Sequence, residues 1–534
     1  MLKIKRISTT ILLVLLVFTR LINIDWGMPY PFHPDERNMA VAVQQLSCCL
    51  NPHFFAYGQP PLYLAWGLIS LSHFMTGKTA ISLEEAIISL RLISAVFSIL
   101  TVLILLKILT LFYSSKKDDL QIPLLLFIFA PFFIQFAHFG TTESALMFFY
   151  VWLTYIELLF IKQKISFIKS NIMTGVITGM AISFKVSSVI FLILPVYVLF
   201  LTPIKRLIKV KGLIILISCT AFFSLIFSLQ SIISFSEFIN SIQYESQVGL
   251  GKIIPFYTRQ FEYSIPIIFQ FLKIYPYALG IPVLVLFVIG FVVLPKTKEW
   301  QLLRVATIIV FLPNAFLFAK WTRFMAPTFP LILLLAVLVL LHFKERIHKT
   351  IFYLIVLIAI LPGVAFLSVY LKEDVRSVAS RWMISNIAKG ATVLSETGNV
   401  VDIPLYPASF RPISFDFYDL DQSPTLKSQL AQILNNTDYI VIPSRRIINN
   451  HTCVENSPAF ELQRCEKLRN QYPVLNDYYD KLLKGTLGFQ KVAEFSSFPG
   501  LSLFGQSIVE VNDEKAEETF TVFDHPVIRI YKRT

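Results

Sequence analysis

Residues 88–112 read ISLRLISAVFSILTVLILLKILTLF, a run with only two charges, Arg91 near its start and Lys107 near its end. Coiled as a helix at 1.5 Å per residue it would be roughly 37 Å long, enough to cross ~30 Å of hydrocarbon. Comparable runs recur from Ile7 to Tyr370, and none follows. The chain has 534 residues, 55% hydrophobic and 15% charged, with a mean hydropathy of +0.65. That is too apolar for a soluble enzyme of this length, so the bilayer must be its solvent. Two parts follow: a mainly α, polytopic transmembrane domain over 1–371, and a soluble mixed α/β domain over 372–534.

The net charge of +13, from 47 basic and 34 acidic residues, does not point to nucleic acid. Its cations sit in short loops between apolar runs, as the positive-inside rule expects. Clusters at Lys3/Lys5/Arg6, Lys116/Lys117, Lys162/Lys164/Lys169, Lys205/Arg206/Lys209/Lys211, Lys296/Lys298/Arg304 and Lys344/Arg346/Lys349 mark the cytoplasmic side. An even number of crossings must separate consecutive clusters. About 11 spans satisfy this: 8–24, 88–112, 120–138, 144–161, 171–183, 187–203, 212–230, 278–295, 302–319, 323–342 and 350–371. The reading is a multi-pass plasma-membrane protein with a cytoplasmic N-terminus and an extracytoplasmic C-terminal domain. The basic N-terminus resembles a secretory signal, but no small-residue cleavage site follows, so it reads as an uncleaved first helix.

Pro60–Phe74 is left out of the count, because including it would put Lys116/Lys117 outside and every later loop out of phase. It is expected to lie flat on the outer surface, as is Pro266–Tyr275. Two long outer loops result, 25–87 and 231–277. In the soluble domain a helix is expected over Asp374–Ile387, with strands at Ala391–Ser395, Tyr439–Pro443 and Val527–Tyr531. Cys453 and Cys465 could pair in an oxidising compartment or remain two thiols, whereas Cys48 and Cys49 read as packing residues. Asn435 and Asn450 begin glycosylation sequons, relevant only in a host that glycosylates this compartment.

The densest polar cluster of the first outer loop is His33-Pro34-Asp35-Glu36-Arg37. Adjacent carboxylates at a membrane surface can provide a general base; a helix start with Asp35 and Glu36 in its first turn explains them equally simply. Glu143 follows Thr141-Thr142 on the same face, where it is either functional or a capped helix start. Arg91, Lys185, Arg323 and Lys320, with His138 beside them, run against the positive-inside trend. Such cations would stabilise the phosphate of a lipid carrier as bound group and as leaving group, or else snorkel to the interface, the simpler account of Lys320. No phosphate-binding Gly-rich loop, Cys/His metal spacing or Gly-x-Ser-x-Gly elbow occurs.

Several of these elements, in this order, resemble the C superfamily of glycosyltransferases (GT-C), in the branch of protein O-mannosyltransferases and the lipid A aminoarabinose transferase. They are Phe32-His33-Pro34-Asp35-Glu36, Gln59-Pro60-Pro61-Leu62-Tyr63, Arg91-Leu92-Ile93-Ser94-Ala95, Thr141-Thr142-Glu143 and Arg323-Phe324-Met325-Ala326-Pro327. The resemblance covers most of the membrane domain. It implies inverting transfer of a sugar from a polyprenyl phosphate to an acceptor hydroxyl of a protein, glycan or lipid, with Asp35 as base and Glu36 beside it. Arg91, Lys185, Arg323 and His138 would then meet the donor phosphate, Glu143 would assist, and membrane lipids would be partners. The resemblance fixes no cofactor; a divalent cation, if one is used, would sit on Asp35 and Glu143. The family often has Asp where Glu143 stands and Arg where His138 stands. The segments Gly485-Thr486-Leu487-Gly488-Phe489 and Thr519-Phe520-Thr521-Val522-Phe523-Asp524-His525-Pro526 resemble outer domains of bacterial members.

The competing readings are a lipid or sugar transporter or flippase, in which the cations would be translocation contacts, and an assembly protein with dispensable carboxylates. A transporter would carry polar residues at mid-membrane in repeated, interrupted helices, and no repeat is evident. The topology is checked by a cysteine at Gly77: it should react with an impermeant reagent from outside, and labelling from the cytoplasm alone would overturn the 11-span arrangement.

Overall fold

A computed structural model describes residues 2–113, 120–397, 403–405, 409–453, 462–503 and 506–534. The Lys116/Lys117 cluster lies outside the described residues, and at the first cluster only the backbone is described. Among the described residues six helices are long and apolar enough to cross a membrane: Leu83–Phe112, Glu143–Ile161, Phe167–Phe184, Arg206–Phe227, Thr322–Phe343 and Lys349–Leu371. The count is eight if two bent pairs each make one crossing. The remaining three expected segments are also helical but fall short of that test. Thr9–Leu21 and Val186–Leu201 are short, and Lys298–Ala315 carries Lys298, Glu299 and Arg304.

The bent pair Gln121–Ile128 and Pro131–His138 turns by 52° because Pro131 lacks an N–H and Ala130 before it is extended. The carbonyls freed at the break need donors. Fully buried Arg20 supplies them, donating to Ile128 O at 3.0 Å and Phe127 O at 2.9 Å. In the other pair, Gln270–Ala278 lies 113° from Ile281–Val293, with Gly280 at φ 84° in the corner. The second half of residues 266–275 opens this crosswise element.

The stretch 25–87 is well packed. Helices Pro34–Cys49 and Pro60–Thr76 bury Met39, Val43, Leu46, Leu62, Ala65 and Ile69 against Ile87 and Leu90. The outward face of the second remains apolar at Leu64, Leu68, Leu71 and Phe74, the last 89% exposed, as suits a helix lying against lipid. Cys48 and Cys49 are exposed rather than packed, since they fall on the last turn of Pro34–Cys49, past its buried stripe.

The C-terminal region holds β1 (Thr392–Thr397), β2 (Arg411–Asp416), β3 (Tyr439–Ile442), β4 (Phe489–Phe495), β5 (Gly500–Leu503), β6 (Gln506–Glu510) and β7 (Ile528–Arg533). Five form a mixed sheet in the order β2-β1-β3-β7-β4, and β5 pairs with β6. β1 runs parallel to β2 and β3, whereas β7 runs antiparallel to β3 and β4. Pro412 is tolerated in β2 because that strand is an edge. Helix Val375–Asn386 is capped by Asp374. Cys453 and Cys465 form a disulfide.

The division at residue 371 separates stretches of chain but not cores. Ala516, Phe520, Val522 and Phe523 belong to the apolar core of the helical part. Beside them His525 lies between two carboxylates, Asp524 at 2.5 Å and Asp513 at 2.9 Å, all buried. Burial alone would lower the His525 pKa, but Asp524 and Asp513 reverse this and raise it to about 10. A histidine raised in this way stabilises the fold fully below its unfolded pKa of ~6.5 and loses that contribution as pH climbs through the folded value. The thermal midpoint should therefore fall between pH 6.5 and 10, and His525→Gln should flatten this dependence; calorimetry at several pH values checks both.

Candidate active site

Asp35 and Glu36 do form the first turn of a helix, Pro34–Cys49, and adjacent positions there point in different directions. Glu36 points inward. It meets Arg91 in a two-pronged pair, Nε to Oε1 at 2.9 Å and Nη2 to Oε2 at 2.7 Å, with both side chains 0% exposed. Arg91 Nη1 also donates to Ile24 O and Trp26 O, and its guanidinium lies 4.2 Å from the Trp26 ring centroid. The Gly140 N–H completes the cluster at 2.5 Å from Glu36 Oε1. Only glycine allows this approach, since a Cβ there would stand 2.8 Å from Leu90 Cβ.

Asp35 points the other way and accepts from Arg323 Nη1 at 2.6 Å, the pair being about one-fifth exposed (21% and 20%). Burial would raise the Asp35 pKa, but Arg323, His33 and a Tyr57 hydrogen bond together hold it below the usual carboxylate value. Arg323 rests over Trp321, 4.5 Å from the ring centroid, and its buried Nε has no hydrogen-bond partner among the described residues. His33 caps the helix by accepting the Glu36 N–H on Nδ1 and is wedged between Phe139 and Phe523. Burial lowers its pKa, so it stays a neutral acceptor here.

The second carboxylate, Glu143, pairs with Lys185 at 3.1 Å. Lys185 stands at the turn between Phe167–Phe184 and Val186–Leu192, its ammonium 4.9 Å from the Tyr57 ring and 5.8 Å from Phe324. Tyr57 reaches it because the neighbouring Gly58 N–H donates to Phe184 O at 2.9 Å. A Cβ at Gly58 would lie 1.8 Å from Ser183 O.

Two clefts meet at Arg323. One is lined by His33, Asp35, Gln135, Glu143 and Arg323, and walled by Thr519, Phe520 and Phe523 of the C-terminal domain. The other holds Lys185 and Arg323 among Leu146, Ile190, Phe191, Val310, Leu317 and Phe324. Asp35, Glu143, Lys185 and Arg323 are thus brought together. Arg91 and His138 are not. Arg91 is fully buried on Glu36, and His138 is fully buried, with Nδ1 and Nε2 each 2.8 Å from carbonyls of Ile134 and Ile22. Lys320 is buried as well, its ammonium on Phe318 O, rather than snorkelling. Among the described residues no three His, Cys, Asp or Glu side chains converge to hold a metal. The two carboxylates proposed for one face Arg323 and Lys185 instead, which does not fit a cation site.

Sequence reasoning missed Tyr57, Gln135 and the Thr519–Phe523 wall. A glutamine inside the apolar run 131–137 was a signal for the second.

No family model matches the sequence, and neither does any curated protein. Solved structures with a similar course of the chain include the apo oligosaccharyltransferase of Archaeoglobus fulgidus, at 12% identity over 82% of this chain and 69% of that one, TM-score 0.49. ArnT from Cupriavidus metallidurans bound to undecaprenyl phosphate matches at 12% identity over 98% and 97%, TM-score 0.49. The same protein in the apo state matches at 14% over 90% and 75%, TM-score 0.46.

The two carboxylates should separate in experiment. Removing one partner of a buried ion pair strands the other, so Arg91→Met should lower unfolding free energy by on the order of 3–5 kcal/mol. Asp35→Asn, at a partly exposed pair, should change it by about 1 kcal/mol or less; denaturant or thermal unfolding of both variants measures the difference.

Proposed function

We infer that the chain is a glycosyltransferase that takes a sugar from a polyprenyl-phosphate carrier and passes it to a hydroxyl acceptor outside the cytoplasm. The observation that carries this reading is Arg323 standing between two unlike clefts. The cleft with Lys185 and apolar walls suits the anionic head and first isoprene units of a carrier. The cleft with Asp35 suits the reacting hydroxyl.

In this mechanism the acceptor oxygen forms a bond to the sugar's anomeric carbon as the bond from that carbon to the carrier phosphate breaks. The electron pair leaves with the phosphate, where Lys185 and Arg323 stabilise the growing charge. Asp35 accepts the proton of the hydroxyl. Held on Arg323, Asp35 is a weak base; a carrier phosphate competing for the same guanidinium would release it and raise its pKa. Donor binding thereby prepares the base, and the spare Nε–H of Arg323 gives the phosphate a place to start. Glu143 anchors Lys185, and the Glu36–Arg91 pair holds the turn in register. The paired charges gather at one end of the helices, which supports chemistry at a surface over translocation through the middle. A metal has no step here.

Asp35→Asn keeps size and much of the hydrogen bonding but cannot take the proton. Transfer should fall by about 10²-fold or more while carrier binding persists. Lys185→Met should weaken carrier binding by on the order of 1.5–3 kcal/mol. Purified protein incubated with radiolabelled polyprenyl-phosphate sugars, scored for carrier release and labelled product, measures the first, and titration with bare carrier the second. Wild-type transfer by Asp35→Asn would remove it as the base.

A further inference from the structure

Gln135 is almost completely buried, at 1% exposure, yet lines the cleft that holds Asp35, Glu143 and Arg323. Its Nε2 donates twice, to Phe520 O at 2.7 Å and to Asp524 Oδ2 at 3.1 Å. The first partner is a carbonyl and the second a carboxylate, so only the nitrogen end of the amide can face them. Asp524 is itself fixed as an acceptor: Tyr370 Oη donates to Oδ2 at 2.8 Å, and His525 Nδ1 lies 2.5 Å from Oδ1. The amide therefore cannot flip, and among the described residues its Oε1 accepts no hydrogen bond.

We propose that Gln135 orients the substrate by accepting a hydrogen bond from a sugar hydroxyl on Oε1, and that Asp524 of the C-terminal domain is a positioning residue fixing which end of that amide meets the cleft. The surroundings select this ligand. Asp35, Glu143 and Gln135 offer acceptors, and a polyol is the uncharged group with enough donors to satisfy several at once. Phe136, Phe520 and Phe523 in the same walls suit the C–H faces of a sugar ring. The hydroxyl belongs either to the transferred sugar or to a sugar acceptor. The assignment rests on the glycosyltransferase reading and gives the C-terminal domain a part in reading the substrate.

The test uses the full chain in detergent, titrated with bare undecaprenyl phosphate and with undecaprenyl-phosphate mannose, glucose, galactose and aminoarabinose. Gln135→Leu should bind bare carrier as the wild type does and lose roughly 3- to 10-fold in affinity for the preferred sugar-bearing carrier, the worth of one neutral hydrogen bond. Asp524→Asn should lose no more than this, because it alters one of the two acceptors of Nε2 while the Phe520 carbonyl still holds that end. The double variant should be no weaker than the weaker single variant, as expected when one residue acts through the other. Tyr370→Phe removes another Asp524 contact and should keep the wild-type preference. A rise confined to the KM of a sugar acceptor in the transfer assay would assign the hydroxyl to the acceptor. Gln135→Leu protein that binds and transfers every sugar like the wild type overturns the assignment alone, and it decides the matter even if Asp524→Asn does not fold. Wild-type protein that neither favours nor transfers any of these sugars overturns the glycosyltransferase reading and this assignment together.

Discussion

The buried pair of Glu36 and Arg91 is the interaction on which the candidate site hangs. It joins the helix that carries Asp35, the start of the span that carries Arg91, the Ile24–Trp26 turn and the Gly140 backbone. None of these contacts is replaceable by water, because the cluster is sealed from solvent. The desolvation cost of two charges is offset only while every lone pair and N–H has its partner. Such a knot has one stable geometry, so it fixes where Asp35 emerges.

A second constraint comes from the far end of the chain. Glu517 accepts from Thr322 N at 3.0 Å and Thr322 Oγ1 at 2.9 Å, one position before Arg323, which pairs with Asp35. Thr322 opens the helix that carries Arg323. The C-terminal domain thus supports Arg323 from one side and Gln135 from the other. In the proposed mechanism Asp35 and Arg323 trade partners, and such an exchange needs rigid surroundings.

Much of this was legible from residue patterns, and the failures have identifiable causes. Hydropathy and loop charge located the helical segments, because lipid demands long apolar runs. They could not decide that 120–138 breaks or that 270–278 turns crosswise, since both depend on partners distant in sequence: Arg20 for the first break, and for the second the packing of Pro362 over Gly280. In the C-terminal region the apolar β3 and the alternating β7 were readable. β2 and β4 were not, as their exposed edges carry mixed residues that resemble loops. Asp35, Glu143, Lys185 and Arg323 were legible as charges that ought not to stand where they do. Arg91 and His138 carried the same signal for a different reason: charge or polarity near a span end marks a buried knot as readily as a ligand site. Gln135 stands out as a polar residue in an apolar run, but its place in the cleft cannot be read without knowing that residues 520–524 come to rest beside it.

The sequon asparagine at 450 has a consequence for making the protein. Its Oδ1 accepts from Gln260 N, and its Nδ2 donates to Arg446 O and Glu518 Oε2, each within 3.0 Å. One amide thereby ties the stretch 231–277 to two segments of the C-terminal region, with no exposed surface. A secretory system that attaches glycans to nascent chains would reach Asn450 before these three segments meet. The sugar would then occupy the space that Gln260 and Glu518 need, and the chain would be trapped open. Asn435, exposed on its helix end, would carry a glycan harmlessly. The choice of expression host thus enters the folding of this molecule through a single side chain.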